Sequence, residues 1–280
     1  MPRTYIFVLR TADRPGIVHQ ATGAILAVGG NIVESAQFSD PDSETFVMRC
    51  RFVTDQPAAD VEAALRGGLP ADFEIRLRPE DVQPRALVMV SRHDHCLVDL
   101  LYRHRTGELG AELVAVVSNH RDCEPLVADH HVDFLHLPVT PETKAAQEDR
   151  LREVIAERRI DLVVLARYMQ ILSPELCAEL QGRVINIHHS FLPGFKGARP
   201  YHQAHDRGVK LIGATAHYVT ADLDEGPIIE QEVARVGHGV SPEQLVAVGR
   251  DVECQVLARA VKWHAEHRVL LNGNRTVVFA

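Results

Sequence analysis

The sequence contains no apolar run that approaches 18 residues, the length that a membrane-spanning helix needs. Its first residues, MPRTYIFVLR, lack the apolar core of a secretory signal peptide. The five cysteines are scattered, and no two of them form a Cys-x-x-Cys pair. This pattern argues against a disulfide framework or a cysteine zinc site, and it is typical of reduced thiols. We therefore expect a cytoplasmic protein that does not associate with membranes.

An excess of positive charge is also missing. Lys and Arg number 30 against 38 Asp and Glu, which gives a formal net charge of −8 at pH 7. Nucleic-acid-binding proteins usually present a basic surface, so no nucleic-acid partner is expected. The 280 residues, 46% apolar and 24% charged, are enough for two globular domains. An anionic substrate is compatible with this composition if its pocket is locally basic.

Residues 4–78 have the pattern of a small α/β unit. The strand Tyr5–Leu9 leads into the turn DRPG at positions 13–16, and apolar residues then recur at helical spacing as far as Gly29-Gly30. The remaining elements are strands at Asn31–Phe38 and Glu44–Val53, a helix near Ala58–Arg66 and a strand at Phe73–Leu77. Together they predict a ferredoxin-like βαββαβ order.

The segments ADRPGIV and GGNIV within this unit resemble the ACT domain, a family of small regulatory modules. That resemblance implies an amino-acid effector bound between paired copies, and hence a homo-oligomer. A module that only dimerises the enzyme and binds nothing fits the same residues equally well. We predict an ACT-like regulatory domain over residues 1–82, ending in the proline-containing linker Arg78–Pro84.

Strands and helices alternate over residues 83–280, which predicts an α/β domain with a doubly wound, mostly parallel sheet. The predicted strands are Ala86–Val90, Glu112–Ser118, Val132–Leu135, Asp161–Leu165, Val184–Ile187, Ile228–Ala234 and Thr276–Phe279. The predicted helices are His95–His104, Cys123–His130, Glu142–Arg158, Pro174–Leu180 and Pro242–His264.

Polar residues follow two strands of this second domain. Asn186 and His188 point to the same side of the strand VINI, because side chains alternate along a strand. Another apolar strand, near Leu211–Val219, leads into a loop that contains Asp224. Chemistry in parallel sheets usually takes place at such strand ends. An amide, an imidazole and a carboxylate can stabilise an oxyanion, transfer a proton and orient water, although in an arbitrary protein such residues at a strand end are more often merely solvated loop residues.

The stretch Val184–Gln231, with LPGFKG and HYVTADLDEGPII in order, resembles the catalytic core of the folate-dependent formyltransferases. Their pattern is Asn-x-His after one strand and an Asp in the loop after the next, preceded at seven residues by a His, here His217. With the N-terminal region added, the whole chain resembles the deformylases of that family. The resemblance implies a hydrolase of a linear amide C–N bond, which converts 10-formyltetrahydrofolate to formate and tetrahydrofolate and supports one-carbon and purine metabolism.

The resemblance also implies roles for individual residues. It makes Asn186, His188 and Asp224 catalytic, and it places the folate substrate against two segments. The expected contacts are Arg167, Met169, Ile171 and Leu172 in one segment, and His217, Thr220, Ala221, Asp222 and Leu223 in the other. Without the resemblance, the apolar members of the first segment fit a protein core equally well. The folate is then a substrate, and no retained cofactor is expected.

The loop after the first strand of the second domain, SRHDHCL at positions 91–97, contains no glycine. We expect Arg92 and His93 to line the cleft. The His-x-His spacing of His93 and His95 can bind a metal, but no carboxylate cluster completes a site in the sequence, so no metal is expected. Family members that act on a phosphorylated glycinamide carry a glycine-rich phosphate loop here. The missing glycines therefore favour water as the acceptor.

Two other functions remain open at this stage. One is formyl transfer to a different amine acceptor. The ACT-like module disfavours the tRNA-directed kind, because roughly Val240–Ala280 leaves too little chain for its nucleic-acid-binding domain. The other is a non-catalytic amino-acid sensor, and the joint presence of Asn186, His188 and Asp224 argues against it.

Overall fold

The computed structural model describes residues 2–194 and 200–280. Contacts divide the chain into two compact units, one formed by Met1–Gln83 with Glu266–Ala280 and the other by Pro84–Ala265. No helix within the two described ranges is both long enough and apolar enough to cross a lipid bilayer.

The first unit is built around a four-stranded antiparallel sheet with the order β2-β3-β1-β4. Its elements are β1 (Arg3–Ala12), α1 (Ile17–Ala27), β2 (Asn31–Asp40), β3 (Thr45–Thr54), α2 (Ala58–Gly68) and β4 (Glu74–Pro79). Apolar side chains on one face of β1, such as Tyr5, Phe7 and Leu9, pack with α1 and α2 in a single core. This arrangement confirms the predicted ferredoxin-like βαββαβ fold.

The other face of this sheet carries a hairpin from the far end of the chain, β12 (Val269–Asn272) with β13 (Arg275–Val278). Leu270 packs against Ile6, Val8 and Val47 there. The sequence-based division placed residues 266–280 in the second domain, and the structure places them with the first unit. The reason is physical: the apolar residues of β1 face both sides of the sheet, and the hairpin covers the second side.

The second unit contains a seven-stranded sheet with the order β11-β10-β9-β8-β5-β6-β7. Its strands are β5 (Arg85–Val90), β6 (Glu112–Ser118), β7 (Asp133–His136), β8 (Leu162–Leu165), β9 (Val184–His188), β10 (Leu211–Tyr218) and β11 (Ile228–Arg235). The helices are α3 (His95–Thr106), α4 (Glu124–Ala128), α5 (Lys144–Glu157), α6 (Pro174–Glu179), α7 (Pro200–Asp206) and α8 (Pro242–Ala265). The five strands from β9 to β7 are parallel, which confirms the mostly parallel α/β sheet.

Two features of this unit differ from the prediction. β10 runs antiparallel to β9, so Asp224 does not follow a parallel strand as the sequence suggested. Strand direction is not visible in an apolar run of this length, because parallel and antiparallel pairing bury it equally well. Helix α7 was not predicted. Residues 195–199, which complete the LPGFKG motif, lie outside the described residues.

Candidate active site

A cleft of about 670 Å³ opens in the second unit beyond the carboxyl ends of β5, β8 and β9. The loop after β10 and the middle of α8 form its remaining walls. Every residue that lines the cleft belongs to the unit Pro84–Ala265. Ligand sites of open α/β sheets usually lie at this edge, so the position of the cleft agrees with the fold.

The pairing of β9 with β10 places two polar side chains next to each other. His217 on β10 lies opposite Asn186 on β9, and the amide Nδ2 of Asn186 is 3.2 Å from Nε2 of His217. The chain then turns back through residues 219–227 and brings Asp224 to the same place. A strand pair and a return loop thus bring three predicted residues together.

The carboxylate of Asp224 lies between two buried imidazoles. Its Oδ2 is 3.2 Å from Nδ1 of His188, and its Oδ1 is 3.6 Å from Nε2 of His217. Nδ1 of His188 donates to Asp224, because an ionised carboxylate can only accept. Nε2 of His188 is buried and has no hydrogen-bond partner among residues 2–194 and 200–280. That nitrogen is therefore the atom of His188 that is left to meet a substrate.

The tautomer of His217 follows from its backbone contact. Nδ1 lies 2.9 Å from the carbonyl oxygen of Tyr218, which can only accept, so Nδ1 carries the hydrogen. In the neutral ring, Nε2 accepts from one N–H of the Asn186 amide. This bond fixes the amide orientation and leaves its second N–H for another acceptor.

The surroundings of Asp224 favour its ionised form. Partial burial by itself raises the pKa of this carboxyl group, but the hydrogen bond and charge of His188, with the imidazole of His217 close by, hold it well below the ordinary value. Asp224 is therefore an anion at neutral pH, held against Nδ1 of His188.

One end of the cleft is apolar. Met169, Ile171 and Leu223 there are 55%, 59% and 60% exposed, although large apolar side chains normally pack inward. Leu172 also lines the cleft but is itself buried. The amide N–H of Met169 donates to the hydroxyl of Ser91 at 3.0 Å, which fastens this segment to the end of β5. A rigid, exposed apolar wall of this kind fits a flat heterocyclic ligand.

A second part of the lining, which we call the polar end, is formed by His95, Arg167, Tyr201 and Glu253. Glu253 accepts from the hydroxyl of Tyr201 at 2.7 Å and from Nε2 of His95 at 2.8 Å. Its side chain is only 1% exposed. Sequence reasoning did not single out Tyr201 or Glu253. A signal was available, because Glu253 lies on the buried stripe of α8 with Leu245, Gly249 and Val252.

The other predicted residues fall into two groups. Arg167, His93, Thr220, Ala221 and Asp222 line the cleft, as do the apolar residues named above. Arg92, which was predicted to line the cleft, is exposed and does not belong to the lining. His189 also lines the cleft beside His188, with their ring centroids 5.3 Å apart, although alternation along a strand would direct it to the opposite face.

His95, Cys96 and Glu253 form a cluster of metal-ligand types, with ligand atoms within 4.8 Å of one another. The carboxylate of this cluster already accepts two hydrogen bonds, and Nη1 of Arg167 lies 3.5 Å from it. A cation bound there would face the guanidinium at close range. The donor set therefore fits an internal ion-pair network better than a metal site.

Comparison with known proteins agrees with this geometry. A family model described as formyl transferase matches residues 84–261. A formyltetrahydrofolate deformylase of Corynebacterium sp. is 48% identical over 279 residues, which cover 98% of this chain and 97% of that protein. Its Escherichia coli (strain K12) counterpart is 40% identical over 273 residues, covering 97% of both chains.

Solved structures give the same result. The formyltetrahydrofolate deformylase of Burkholderia mallei superposes with a TM-score of 0.95 at 50% identity, covering 99% of this chain and 100% of that one. Glycinamide ribonucleotide transformylase 1 of Symbiobacterium toebii gives a TM-score of 0.68 at 30% identity, over 73% of this chain and 98% of that one. The longer match is with the deformylases, which share both units. The chain belongs to the formyltetrahydrofolate deformylases, within the formyl transferase family.

Proposed function

We propose that this protein hydrolyses 10-formyltetrahydrofolate to formate and tetrahydrofolate. The observation that carries the proposal is the state of His188. Its Nδ1 is held by Asp224, whereas its buried Nε2 has no partner within the described part of the chain. An imidazole held in this way can take up a proton and give it to a substrate from a single, defined atom.

In the proposed reaction, water attacks the formyl carbon and the carbonyl oxygen becomes an oxyanion. The free N–H of Asn186 and the protonated Nε2 of His188 donate to that oxygen. The C–N bond then breaks, the departing N10 nitrogen takes up a proton, and formate is released. Asp224 stabilises the imidazolium and accepts a hydrogen bond from the attacking water.

The lowered pKa of Asp224 limits what this residue can do. A carboxylate with such a low pKa is a weak base, and it removes a proton from water less readily than a group that titrates near neutral pH. We therefore assign Asp224 mainly to orientation and charge. His188 gives its Nε2 proton to the departing N10 and then takes up the proton that the attacking water has brought into the tetrahedral intermediate, so one proton passes in net from water to N10.

The substrate assignment uses the apolar end of the cleft. The exposed side chains of Met169, Ile171 and Leu223 would cover the faces of the pterin ring, and the 219–224 loop would bind its polar edge through backbone groups. Folate enters this scheme as a substrate that is consumed. Neither a metal nor a retained cofactor is required, because the three polar side chains supply the acid–base and oxyanion groups.

We further propose that the first unit is an ACT-like regulatory module. Its ferredoxin-like sheet leaves β2 at an edge, where Val33 and Phe38 are 47% and 44% exposed. An exposed edge strand with apolar side chains favours pairing with a second copy. On this reading the enzyme forms a homo-oligomer, works in the cytoplasm and responds to an amino acid.

The test is formate release from 10-formyltetrahydrofolate in the absence of any amine. The wild-type protein should release formate, and Asp224→Asn should lower turnover by a factor of about 100 or more, with folate binding nearly unchanged. Glu225→Gln, which changes the next carboxylate and lies outside the cleft lining, is the matched control and should retain turnover. A wild-type protein that releases no formate, or an Asp224→Asn variant within a few-fold of it, would contradict the proposal.

A further inference from the structure

The carboxylate of Glu253 at the polar end is already engaged. One oxygen accepts from Tyr201 and the other from His95, and Nη1 of Arg167 adds a charge contact at 3.5 Å. Burial by itself raises the pKa of Glu253, but the hydrogen bond from His95 and the charge of Arg167 bring it below the ordinary value. Glu253 is therefore a buried anion with both oxygens occupied.

The unused hydrogen-bonding groups at this end are donors. Nε and Nη1 of Arg167 are buried and have no hydrogen-bond acceptor among the described residues. Nη1 is near Glu253 but is not aligned for a hydrogen bond. The Arg167 side chain is 10% exposed and lines the cleft. A guanidinium cannot accept, so a ligand that enters here finds N–H groups and no vacant acceptor on Arg167.

Two guanidinium groups contribute positive charge to the lining, those of Arg167 and Arg250. Asp222, Asp224 and Glu253 are the carboxylates of the described lining, and Glu253 is the one that contacts Arg167, at 3.5 Å. The pKa of His93 is lowered, first by loss of contact with water and then by the charges of Arg167, His95 and Arg250, against which Glu253 acts only in part. A cation that comes close to Arg167 at the polar end is therefore repelled by its guanidinium.

Close packing holds this arrangement in place. Gly249 lies one helical turn before Glu253 on α8, and a Cβ at position 249 would lie 2.1 Å from Cζ of Tyr201. Only glycine lets the tyrosine ring approach the helix closely enough for its hydroxyl to reach Glu253. The position of Tyr201, and with it the occupied state of Glu253, is thus encoded in the sequence of α8.

We propose that the polar end restricts the acceptor of the formyl group to water, with Arg167 and Glu253 as its specificity-determining pair. This inference rests on the proposed hydrolysis. An amine acceptor forms a new C–N bond, breaks the bond to N10 and passes a proton to N10. Such an amine arrives as a repelled ammonium or as a neutral molecule whose N–H groups find no free acceptor. Water avoids both problems because it is uncharged and carries no further groups that must enter the polar end, so that Asp224 alone suffices as its acceptor.

The experiment measures the ratio of N-formylglycinamide to formate when 10-formyltetrahydrofolate reacts in the presence of millimolar glycinamide. Its amine is an α-amino group, which ordinarily titrates near pH 8, so both forms are present at that pH. The ratio does not depend on how much of a variant is folded. Wild-type protein should give formate almost alone. Arg167→Met should raise the ratio at least about tenfold, because it removes the repulsion and leaves the negative charge of Glu253 without a guanidinium beside it.

Two further variants separate the two effects. The double variant Arg167→Met with Glu253→Gln removes the repulsion without supplying a carboxylate, so its ratio should fall between those of Arg167→Met and wild type. Glu253→Gln alone removes a negative charge from the polar end. The ratio of N-formylglycinamide to formate in this variant should not exceed the wild-type ratio. Arg259→Met is the matched control, because Arg259 lies on the same helix, pairs with Glu232 at 3.1 Å and does not line the cleft. Its ratio should equal that of wild type.

Each outcome distinguishes the two proposals. A wild-type protein that gives neither product contradicts the hydrolysis. Formate from wild type together with an unchanged ratio in Arg167→Met overturns the role of the polar end and leaves the hydrolysis intact. A wild-type ratio near one, or equal ratios in Arg167→Met and Arg259→Met, would also overturn the inference.

Discussion

Two residues of the cleft adopt a left-handed backbone conformation, Asp224 with φ 57° and Arg167 with φ 63°. Aspartate is tolerated in this region more readily than most residues, whereas arginine pays a steric cost of roughly 1 kcal/mol. Strained backbone is retained where the surroundings require it, and functional sites are where it is concentrated. The strained arginine is also the residue with unused buried donors, which links its backbone to the proposed specificity.

Motif reasoning selected Asn186, His188 and Asp224, which the structure brings together, and it did not select the residues of the polar end. Asn186, His188 and Asp224 occur at fixed intervals in one stretch of sequence, so a pattern can find them. Tyr201 and Glu253 come from two separate helices and meet only in the folded chain. One feature of the sequence indicates this contact: Glu253 is an acidic residue among the apolar residues on the buried side of α8.

A histidine outside the cleft should make the protein sensitive to acid. Burial, followed by the charges of Arg78, Arg76 and Arg49, lowers the pKa of His267 to about 4. The unfolded chain binds this proton near pH 6.5, so the folded state binds fewer protons between these values. The free energy of unfolding should therefore fall as the pH drops from 6.5 to 4, by up to roughly 3 kcal/mol.

The change His267→Asn tests this expectation. Asparagine tolerates the left-handed backbone of that position, φ 53°, and does not titrate. Urea unfolding of the variant at pH 7 and at pH 4.5 should show a smaller loss of stability on acidification than the wild-type protein shows. His238→Asn, at an exposed loop position, is the control. An equal loss in wild type and His267→Asn would refute the assignment.

At the scale of elements, the antiparallel turn after β10 determines the site. Gly226 closes the return loop, and a Cβ at this position would lie 1.8 Å from the carbonyl oxygen of Tyr218. No side chain fits between the loop and the strand end. The distance between Asp224 and the two histidines thus depends on a residue that has no chemistry of its own.

Gly226→Ala should therefore reduce turnover at least about tenfold, because the loop must move away from Tyr218 and carry Asp224 with it. Overpacking of this kind destabilises a fold by about 1 to 3 kcal/mol, so the second unit should remain folded. Formate release and thermal unfolding measure the two effects. Gly237→Ala, where a Cβ meets nothing within 4 Å, should leave both nearly unchanged. If Gly226→Ala keeps wild-type turnover, the loop accommodates the added methyl group without moving Asp224, and the expectation is wrong.

The positions of strands and helices could be predicted where apolar residues recur at a clear period. The direction of a strand within its sheet could not be predicted from the sequence. The strand Glu112–Ser118 was predicted with its observed bounds, and most other strands and helices with ends that differ by a few residues. The packing of the β12–β13 hairpin on the second face of the first sheet was not predicted. A signal was present, since Tyr5–Leu9 is apolar at every position, whereas a strand with one solvent face would alternate.

At the scale of the whole molecule, the two compact units predict how truncations behave. A fragment of residues 84–265 contains every residue of the cleft and should release formate. A fragment of residues 83–280 retains the β12–β13 hairpin without the sheet that covers Leu270, Val277 and Phe279. It should therefore aggregate, because exposed apolar surface promotes association. Soluble yield, sedimentation and formate assays on the two fragments measure the difference.

The same comparison tests the boundary between the units. A fragment of residues 1–265 leaves Ile6, Val8 and Val47 uncovered and should be less stable than the full chain. If the fragments 83–280 and 84–265 are equally soluble and monodisperse, the hairpin does not need the first unit. The ACT-like role of that unit remains a proposal, tested by the effect of an amino-acid panel on the full chain.

The hairpin also bears on biosynthesis. The helix-covered core of the first unit needs only residues that the ribosome makes early. The cover for Ile6, Val8 and Val47 comes from residues 266–280, which are made after the entire second unit. During that interval a nascent chain presents an apolar sheet face to the cell. Slow translation through the second unit should then increase its dependence on chaperones, since transiently exposed apolar surface favours misassembly.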